Sequence, residues 1–383
     1  MSVTAAEGFR AAGVAAGLKT SGEPDVAVIV NDGPLSAAAA VFTSNRCKAN
    51  PVLWSQEAIK SGSAKAVAIN SGGANCYTGA EGFQTTHATA EAVAKALDIG
   101  ALDVQVASTG LIGMLNNRDA LLVGMHKALD ELSPEGGLKA ATAIMTTDTV
   151  AKEAVQLAGG YVVGGMGKGA GMLAPALATM LVFISTDADV DSATCDAALR
   201  EATRTTFDRL DSDGCQSTND TVILMASGAS GVKPDAAEFN EAVRSVCHKL
   251  AIQLLEDAEG ADHEITIDVI GAASEDDATE VGRSVARSNL FKCAIFGKDP
   301  NWGRILASVG TTQAVFDPAN LDVSLNGVWV CRNSGPAESP EGIDLEDRAV
   351  NVTIDLKSGA EKATIWTNDL THAYVHENSA YSS

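Results

Sequence analysis

A chain of 383 residues, 46% of them hydrophobic, carries apolar material for two or three domain-sized cores. Its formal charge of −22 argues against a nucleic-acid binder, because phosphate contacts require clustered lysine and arginine. Seven cysteines, spread from Cys47 to Cys331 without a CxxC pair, fit a reducing cytosol better than a disulfide framework, so a cytoplasmic location is expected.

Near the start, Glu7 and Arg10 stand among alanines with no apolar run behind them, and no secretory signal is expected. Short β-rich runs bounded by Gly, Asn or Asp follow at 25–30, 64–69 and 104–107, then at 161–163, 180–184 and 221–225. Several are apolar on both faces, which predicts sheets covered on both sides. Between them the spacing predicts a helix over 118–132, with Leu121, Leu122, Met125, Leu129 and Leu132 on one stripe and Asn117 as its N-cap. A second helix is predicted over 236–257, with Phe239, Val243, Val246, Leu250 and Leu254 facing one way, Asp235 as N-cap and Gly260 as terminator. An alternating strand, 264–269, comes next, and the polar stretch 332–347 reads as an exposed loop or a boundary. Strands alternating with helices place the chain in the α/β (α+β) class.

The longest uncharged run, 169–185, sits at the short limit of a membrane span and contains Pro175 among small residues, so it is read as a buried loop and strand. It lies within the most informative segment, Lys-Gly-Ala-Gly-Met-Leu-Ala-Pro-Ala-Leu-Ala-Thr-Met-Leu over 168–181. Thr179 opens a strand-like run directly after the small Ala178. The ordinary reading of such a threonine is a β-former in its proper place. The chemical reading is different: a threonine hydroxyl needs an adjacent base, and cutting the chain before it makes its own α-amine that base.

Other motifs compete for these residues. Gly165 to Ala170 matches a dinucleotide fingerprint ending in Ala, but Pro175 would then fall inside the required helix. A Walker A loop fails at Val162 and Gly169. Asp187, Asp189 and Asp191 imitate the start of a calcium loop, yet Ser192 stands at the obligatory glycine position. His372 and His376 are spaced for one helical face, but a third ligand is missing and Ala-Tyr-Val between them is β-type. Neither a metal site nor a Ser-His-Asp triad is supported.

The segment 168–181 resembles the processing site of the ornithine acetyltransferase (glutamate N-acetyltransferase) family of arginine biosynthesis, Lys-Gly-x-Gly-Met-x-x-Pro-x-x-Ala-Thr-Met-Leu, at every fixed position. The likeness extends over the whole chain, through Val41 to Arg46, Ser217 to Thr221 and Phe296 to Arg304. It implies self-cleavage between Ala178 and Thr179 into chains 1–178 and 179–383, with Thr179 as nucleophile. Ser108 to Gly113 resembles the family's oxyanion loop, which gives Thr109 and Gly110 that role. Substrate contacts implied in the same way are Thr146 (preferred to Thr147), Lys168, Thr179, Glu259, Asn378 and Ser383. The chain departs from the family at Gly73, where Asn is usual, at Met114, where a charge is common, and at Cys215-Gln216.

The resemblance implies a layered αββα sandwich with a further α/β part toward the C-terminus. It implies acetyl transfer from N-acetylornithine to glutamate by a ping-pong route, with no cofactor, no metal, no nucleic acid and no membrane. Assembly as paired α and β chains, α2β2 or larger, is expected, and the use of acetyl-CoA as a second donor stays open. The rival readings are a self-processing threonine aminopeptidase or amidase on a related sandwich, a nucleotide-binding dehydrogenase, and a non-catalytic binding protein.

Overall fold

Strands that are apolar on both faces can only be stable between two covering layers, and the computed structural model, which describes residues 2–172 and 180–380, builds such layers. The first part of the chain runs β1 (Phe9–Val14), β2 (Val26–Asn31), β3 (Ala37–Phe42), α1 (Asn50–Ala58), β4 (Ala66–Asn70), α2 (Gly79–Leu97), β5 (Val104–Ser108), α3 (Arg118–Asp130) and α4 (Gly137–Ala143). It continues with β6 (Lys152–Ala158), β7 (Tyr161–Lys168), β8 (Leu181–Thr186), α5 (Ser192–Thr205), β9 (Thr221–Ala226) and α6 (Ala236–Glu256). Among the described residues these strands form two sheets, ordered β1-β2-β4-β5 and β3-β9-β8-β7-β6. Only β4 with β5 and β8 with β9 run parallel; the other neighbours are antiparallel.

The inner faces of the two sheets meet through Phe9, Ile29 and Ile69 on one side and Met166, Phe183 and Ile223 on the other. The outer face of the first sheet is covered by α1, α2 and α3 through Trp54, Val93, Leu121 and Met125. The outer face of the second is covered by α5 and α6 through Leu199, Phe239, Val246 and Leu250. This is an αββα sandwich. Two-sided coverage explains why β2, β4, β5, β8 and β9 are buried at every position.

The third sheet follows the sandwich. It begins with β10 (Glu264–Ala272) and is covered by α7 (Glu275–Ala286), α8 (Asn289–Phe296) and α9 (Trp302–Val309). The remaining strands are β11 (Asp322–Leu325), β12 (Val328–Arg332), β13 (Gly335–Pro336), β14 (Ala349–Asp355) and β15 (Glu361–Asn368), in the order β13-β12-β11-β14-β10-β15. The chain closes with α10 (His372–Ala380). The third sheet is tied to the sandwich at β15, where Trp366 bridges to Leu210 and packs on the ring of His248.

The predicted caps form: Asn117 accepts from the amide of Ala120, and Asp235 from that of Glu238. Three expectations change. The strand predicted over 161–163 extends to Lys168, because Gly164 and Gly165 are packed against neighbours and do not turn: a Cβ on Gly164 would lie 2.4 Å from the Ser2 carbonyl. A glycine run inside a strand also removes the dinucleotide fingerprint, which needs a turn there. The β-type Ala-Tyr-Val lies in helix α10, started by Thr371, whose hydroxyl accepts from the Tyr374 amide. The stretch 332–347 is no boundary, since it runs from the end of β12 through β13 and on toward β14 within one sheet. Asp191 caps α5 by accepting from Thr194, and Asp187 accepts from the amides of Glu7 and Val162, so these carboxylates have structural work.

Leu250 is fully buried between α6 and the second sheet. Leu250→Ala is expected to destabilise the fold by about 2 to 5 kcal/mol, the range for cavities left by such truncations. Denaturant titration checks it, as a lowered midpoint with an unchanged slope.

Candidate active site

The site is assembled where strand ends from both sheets meet. Parallel pairing places the ends of β4 and β5 side by side, with Asn70 opposite Ser108, and the Thr109 amide donates to the Asn70 carbonyl at 3.0 Å. The chain then turns through Gly110, at φ 120°, where a Cβ would lie 3.0 Å from the nitrogen and Cα of Gly73. Glycine is required here twice over, for conformation and for contact. The loop is stitched to residues 74–76 by Ala74 donating to Leu111 and Gly113 donating to Cys76, both at 2.9 Å.

Asn219, at the foot of β9, joins this loop to the second sheet. Its amide donates to the Ala74 carbonyl at 2.6 Å and to the Ser108 carbonyl at 2.8 Å. Asn116 donates to Asn70 and to the Gly73 carbonyl, both at 3.2 Å. The result is a fixed loop in which the Thr109 hydroxyl is buried, 1% exposed, and makes no hydrogen bond within the described protein. Thr109 and Gly110 line a cavity of about 140 Å³ together with Ala74, Met172, Thr218 and Asn219. Gly73 and Met114 lie close together beside this loop: a Cβ on Gly73 would lie 3.1 Å from the Met114 methyl and 2.8 Å from the Asn116 side-chain oxygen. These two departures from the family pattern are thus one local change.

A charged centre lies at the ends of β6 and β7. Lys152 opens β6 and Lys168 closes β7, and both are almost wholly buried. Asp148 stands between them, with one oxygen accepting from Lys152 at 2.7 Å and from the Gly169 amide at 2.6 Å. Its other oxygen accepts from the Thr146 amide at 3.0 Å and lies 3.8 Å from the Lys168 ammonium. Asp257 completes the set, 2.5 Å from Lys152. Burial would raise the Asp148 carboxyl, but Lys168 and Lys152 outweigh it and hold it well below the usual carboxylate range. Burial pulls Lys168 below the usual lysine range, opposed by Asp148.

Glu259 follows α6, and its amide donates to the Ala170 carbonyl at 2.9 Å. A Cβ on Gly171 would lie 2.5 Å from both Glu259 carboxyl oxygens, so the carboxylate lies directly against this segment. Asp220, fully buried, accepts from the Met180 amide at 3.1 Å. The two described ends of the segment 168–181 are therefore held among Asp148, Glu259 and Asp220.

Of the residues singled out in the sequence, Thr109 and Gly110 share a cavity with Met172, while Thr146, Lys168 and Glu259 gather around Asp148 and Gly171. Thr146 is half-buried and Thr147 exposed. Asn378 is not brought to the site; it is exposed on α10 and donates to the Tyr374 carbonyl of its own helix. Ala178, Thr179 and Ser383 lie outside the described residues. Sequence reasoning missed Asp148, Lys152 and Asp257, whose pairing spans 105 positions, and it gave no role to Asn219 or Asn116.

A fixed loop with a buried hydroxyl over a cavity, set beside a buried cation and carboxylates at one end of an αββα sandwich, defines the class: an acyl-transfer enzyme. The family model of the ArgJ family matches residues 10–383, and the chain belongs to that family. It is 62% identical to the arginine biosynthesis bifunctional protein ArgJ of Streptomyces avermitilis over 383 residues, the whole of both chains. The ArgJ protein of Mycobacterium leprae is 53% identical over 389 residues, covering 100% of this chain and 96% of that one. Among solved structures, ornithine acetyltransferase complexed with ornithine from Mycobacterium tuberculosis is 49% identical, covering 47% of this chain and 96% of that chain, with a TM-score of 0.43.

Asp148 gives a pH-dependent prediction. A carboxyl whose folded pKa is depressed contributes stability that is present above the unfolded value, about 3.9, and is lost as pH falls through the folded value. Asp148→Asn, which leaves two buried lysines short of a partner, should lose about 3 to 5 kcal/mol at neutral pH. Its deficit against wild type should shrink as pH falls below about 3.9. Denaturant titrations of both proteins across that range measure the difference.

Proposed function

We propose that this ArgJ-family enzyme, an acetyltransferase of arginine biosynthesis, moves acetyl from N-acetylornithine to glutamate through the hydroxyl of Thr179, which it first exposes by cutting its own chain. The observation that carries the reading is the buried, unpartnered Thr109 hydroxyl lining one cavity with Met172, seven positions before Thr179 in sequence. A hydroxyl held there has no structural bond to satisfy and is available to a developing oxyanion.

In processing, the Thr179 hydroxyl attacks the Ala178 carbonyl, and the C–N bond of that peptide breaks as a C–O ester forms. That step frees the α-amine of Thr179, and water then hydrolyses the ester, releasing the Ala178 carboxylate and restoring the Thr179 hydroxyl. The resulting chains are residues 1–178 and 179–383. In turnover the α-amine accepts the hydroxyl proton while Thr179 takes acetyl from N-acetylornithine, and ornithine leaves with a proton. Glutamate's amine then attacks the acetyl ester and regenerates the hydroxyl. Thr109 and the Gly110 amide serve both tetrahedral intermediates.

Lys168 is suited to a substrate carboxylate and Glu259 to a substrate amine, each being buried and beside the segment that ends in the nucleophile. Thr146 lies on the same centre through Asp148. Asn378 and Ser383 belong to the reading through the family resemblance alone. The proposal includes paired α and β chains, assembled as α2β2 or larger. The name of the relatives, bifunctional, supports a second activity, for which acetyl-CoA is the proposed donor to glutamate. Among the described residues no helix is long and apolar enough to cross a membrane.

Processing is tested by intact mass. Wild type should give the two fragments that a cut between Ala178 and Thr179 defines, and Thr179→Ala should stay whole; equal cleavage of the variant would remove Thr179 as nucleophile. The oxyanion role is tested by steady-state kinetics on fully processed Thr109→Ala. Loss of one such donor typically costs about 2.7 to 4 kcal/mol in the transition state, so kcat should fall roughly a hundredfold or more.

A further inference from the structure

Residue 180 is the first described residue after the segment that contains the proposed nucleophile, and both of its peptide groups are held by the foot of β9. Its amide donates to Asp220 Oδ1 at 3.1 Å, and its carbonyl accepts from the Thr221 amide at 3.2 Å. The Met180 nitrogen is bonded directly to the carbonyl carbon of residue 179. An anchor on that atom therefore acts one bond away from the threonine.

Asp220 is 0% exposed, and among the described residues it enters no ion pair; the cation that influences it is Lys168, without contact. Its Oδ2 is buried and makes no hydrogen bond. The groups that face it are hydroxyls, Thr43 and Ser217: Thr43 donates to the Ser217 carbonyl at 2.6 Å, while Ser217 accepts from the Asn219 amide at 3.1 Å and keeps its own hydrogen for Asp220. An ionised carboxylate needs several strong donors or a paired cation to be buried, and Asp220 has no paired cation, with one backbone amide on Oδ1 and hydroxyls beside it. A neutral carboxylic acid fits better, with the carbonyl oxygen toward Met180 and the hydroxyl at Oδ2. Burial pushes the group well above the usual carboxylate range, in agreement with the geometry.

We propose that Asp220 is a positioning residue for Thr179, holding by a hydrogen bond the Met180 amide, whose nitrogen is joined to the carbonyl carbon of residue 179. The inference rests on the reading of Thr179 as nucleophile. It assigns to Asp220 no contact with substrate. Its effect reaches the chemistry only through the peptide that joins residues 179 and 180, and it should therefore act on self-cleavage and on kcat more than on KM.

The experiment uses the full-length precursor and the variants Asp220→Asn, Asp220→Ala and Thr179→Ala. Cleavage is followed by intact mass over time, folding by thermal melting, and the processed enzyme by steady-state kinetics with N-acetylornithine and glutamate. Asparagine keeps a neutral acceptor toward Met180, so Asp220→Asn should process and turn over within tenfold of wild type. Asp220→Ala should melt cooperatively yet process at least a hundredfold more slowly, with kcat lowered and KM within about threefold. Wild-type processing by Asp220→Ala overturns the proposal, and so does an Asp220→Asn that folds but is slowed a hundredfold, because charge would then be what matters. The asparagine result decides the matter if the alanine variant does not fold. Continued cleavage in Thr179→Ala would instead overturn the nucleophile reading, a separate outcome from either failure at Asp220.

Discussion

Four buried charges at the end of the β6–β7 hairpin constrain everything around them. Lys152, Lys168, Asp148 and Asp257 together sum to zero, and each is nearly or wholly removed from water. Taking such groups out of water is expensive, and mutual attraction repays it only when geometry is good and the remaining lone pairs are used. Asp148 meets that condition with two backbone amides, those of Thr146 and Gly169, in addition to its lysines. The arrangement is poor value as a stabiliser compared with an apolar core. What it supplies is a fixed ammonium, Lys168, at the point where the chain leaves β7 toward the proposed cut.

The sandwich determines where that point falls. Parallel β4 and β5 finish at the same end, while parallel β8 and β9 begin at the same end, with Leu181 opposite Thr221. Antiparallel β7 brings Lys168 opposite Leu181, and β6 brings Lys152 opposite Gly167. Asn219 then bonds from the foot of β9 to carbonyls at the end of β5, so the two sheet ends are one structure. The proposed oxyanion loop, the buried lysine and the residue after the proposed nucleophile are neighbours because of strand direction.

Much of this frame was legible in the sequence. The runs 25–30, 64–69, 104–107 and 221–225 fall within two residues of β2, β4, β5 and β9, because a strand buried on both faces writes itself as an apolar run. The layer order was not legible from periodicity; it came from the family resemblance. β7 was read short because Gly164, Gly165 and Gly167 look like a turn until their close neighbours are known. Helix α10 was missed since Val375 and Tyr374 favour strands locally, whereas the cap from Thr371 and the Tyr374 hydroxyl on Asp213 act through tertiary context. The Lys152–Asp257 pair gives no local signal at all, being set by contact between the β6 end and the α6 end.

The departures from the family pattern also acquire a physical meaning that sequence could not give. Gly73 lies behind Gly110 at backbone contact distance, and the room an Asn side chain would need is occupied by the Met114 methyl and by Asn116. A larger residue at 73 would press on Asn116, which bonds to Asn70, which in turn bonds to the Ser108 hydroxyl at the root of the proposed oxyanion loop. Buried amide networks of this kind tolerate little misplacement, because each member left unpaired costs about 1 to 3 kcal/mol. Glycine at 73 together with methionine at 114 leaves that network whole. The two differences thereby act together, behind Gly110 and beside Asn116.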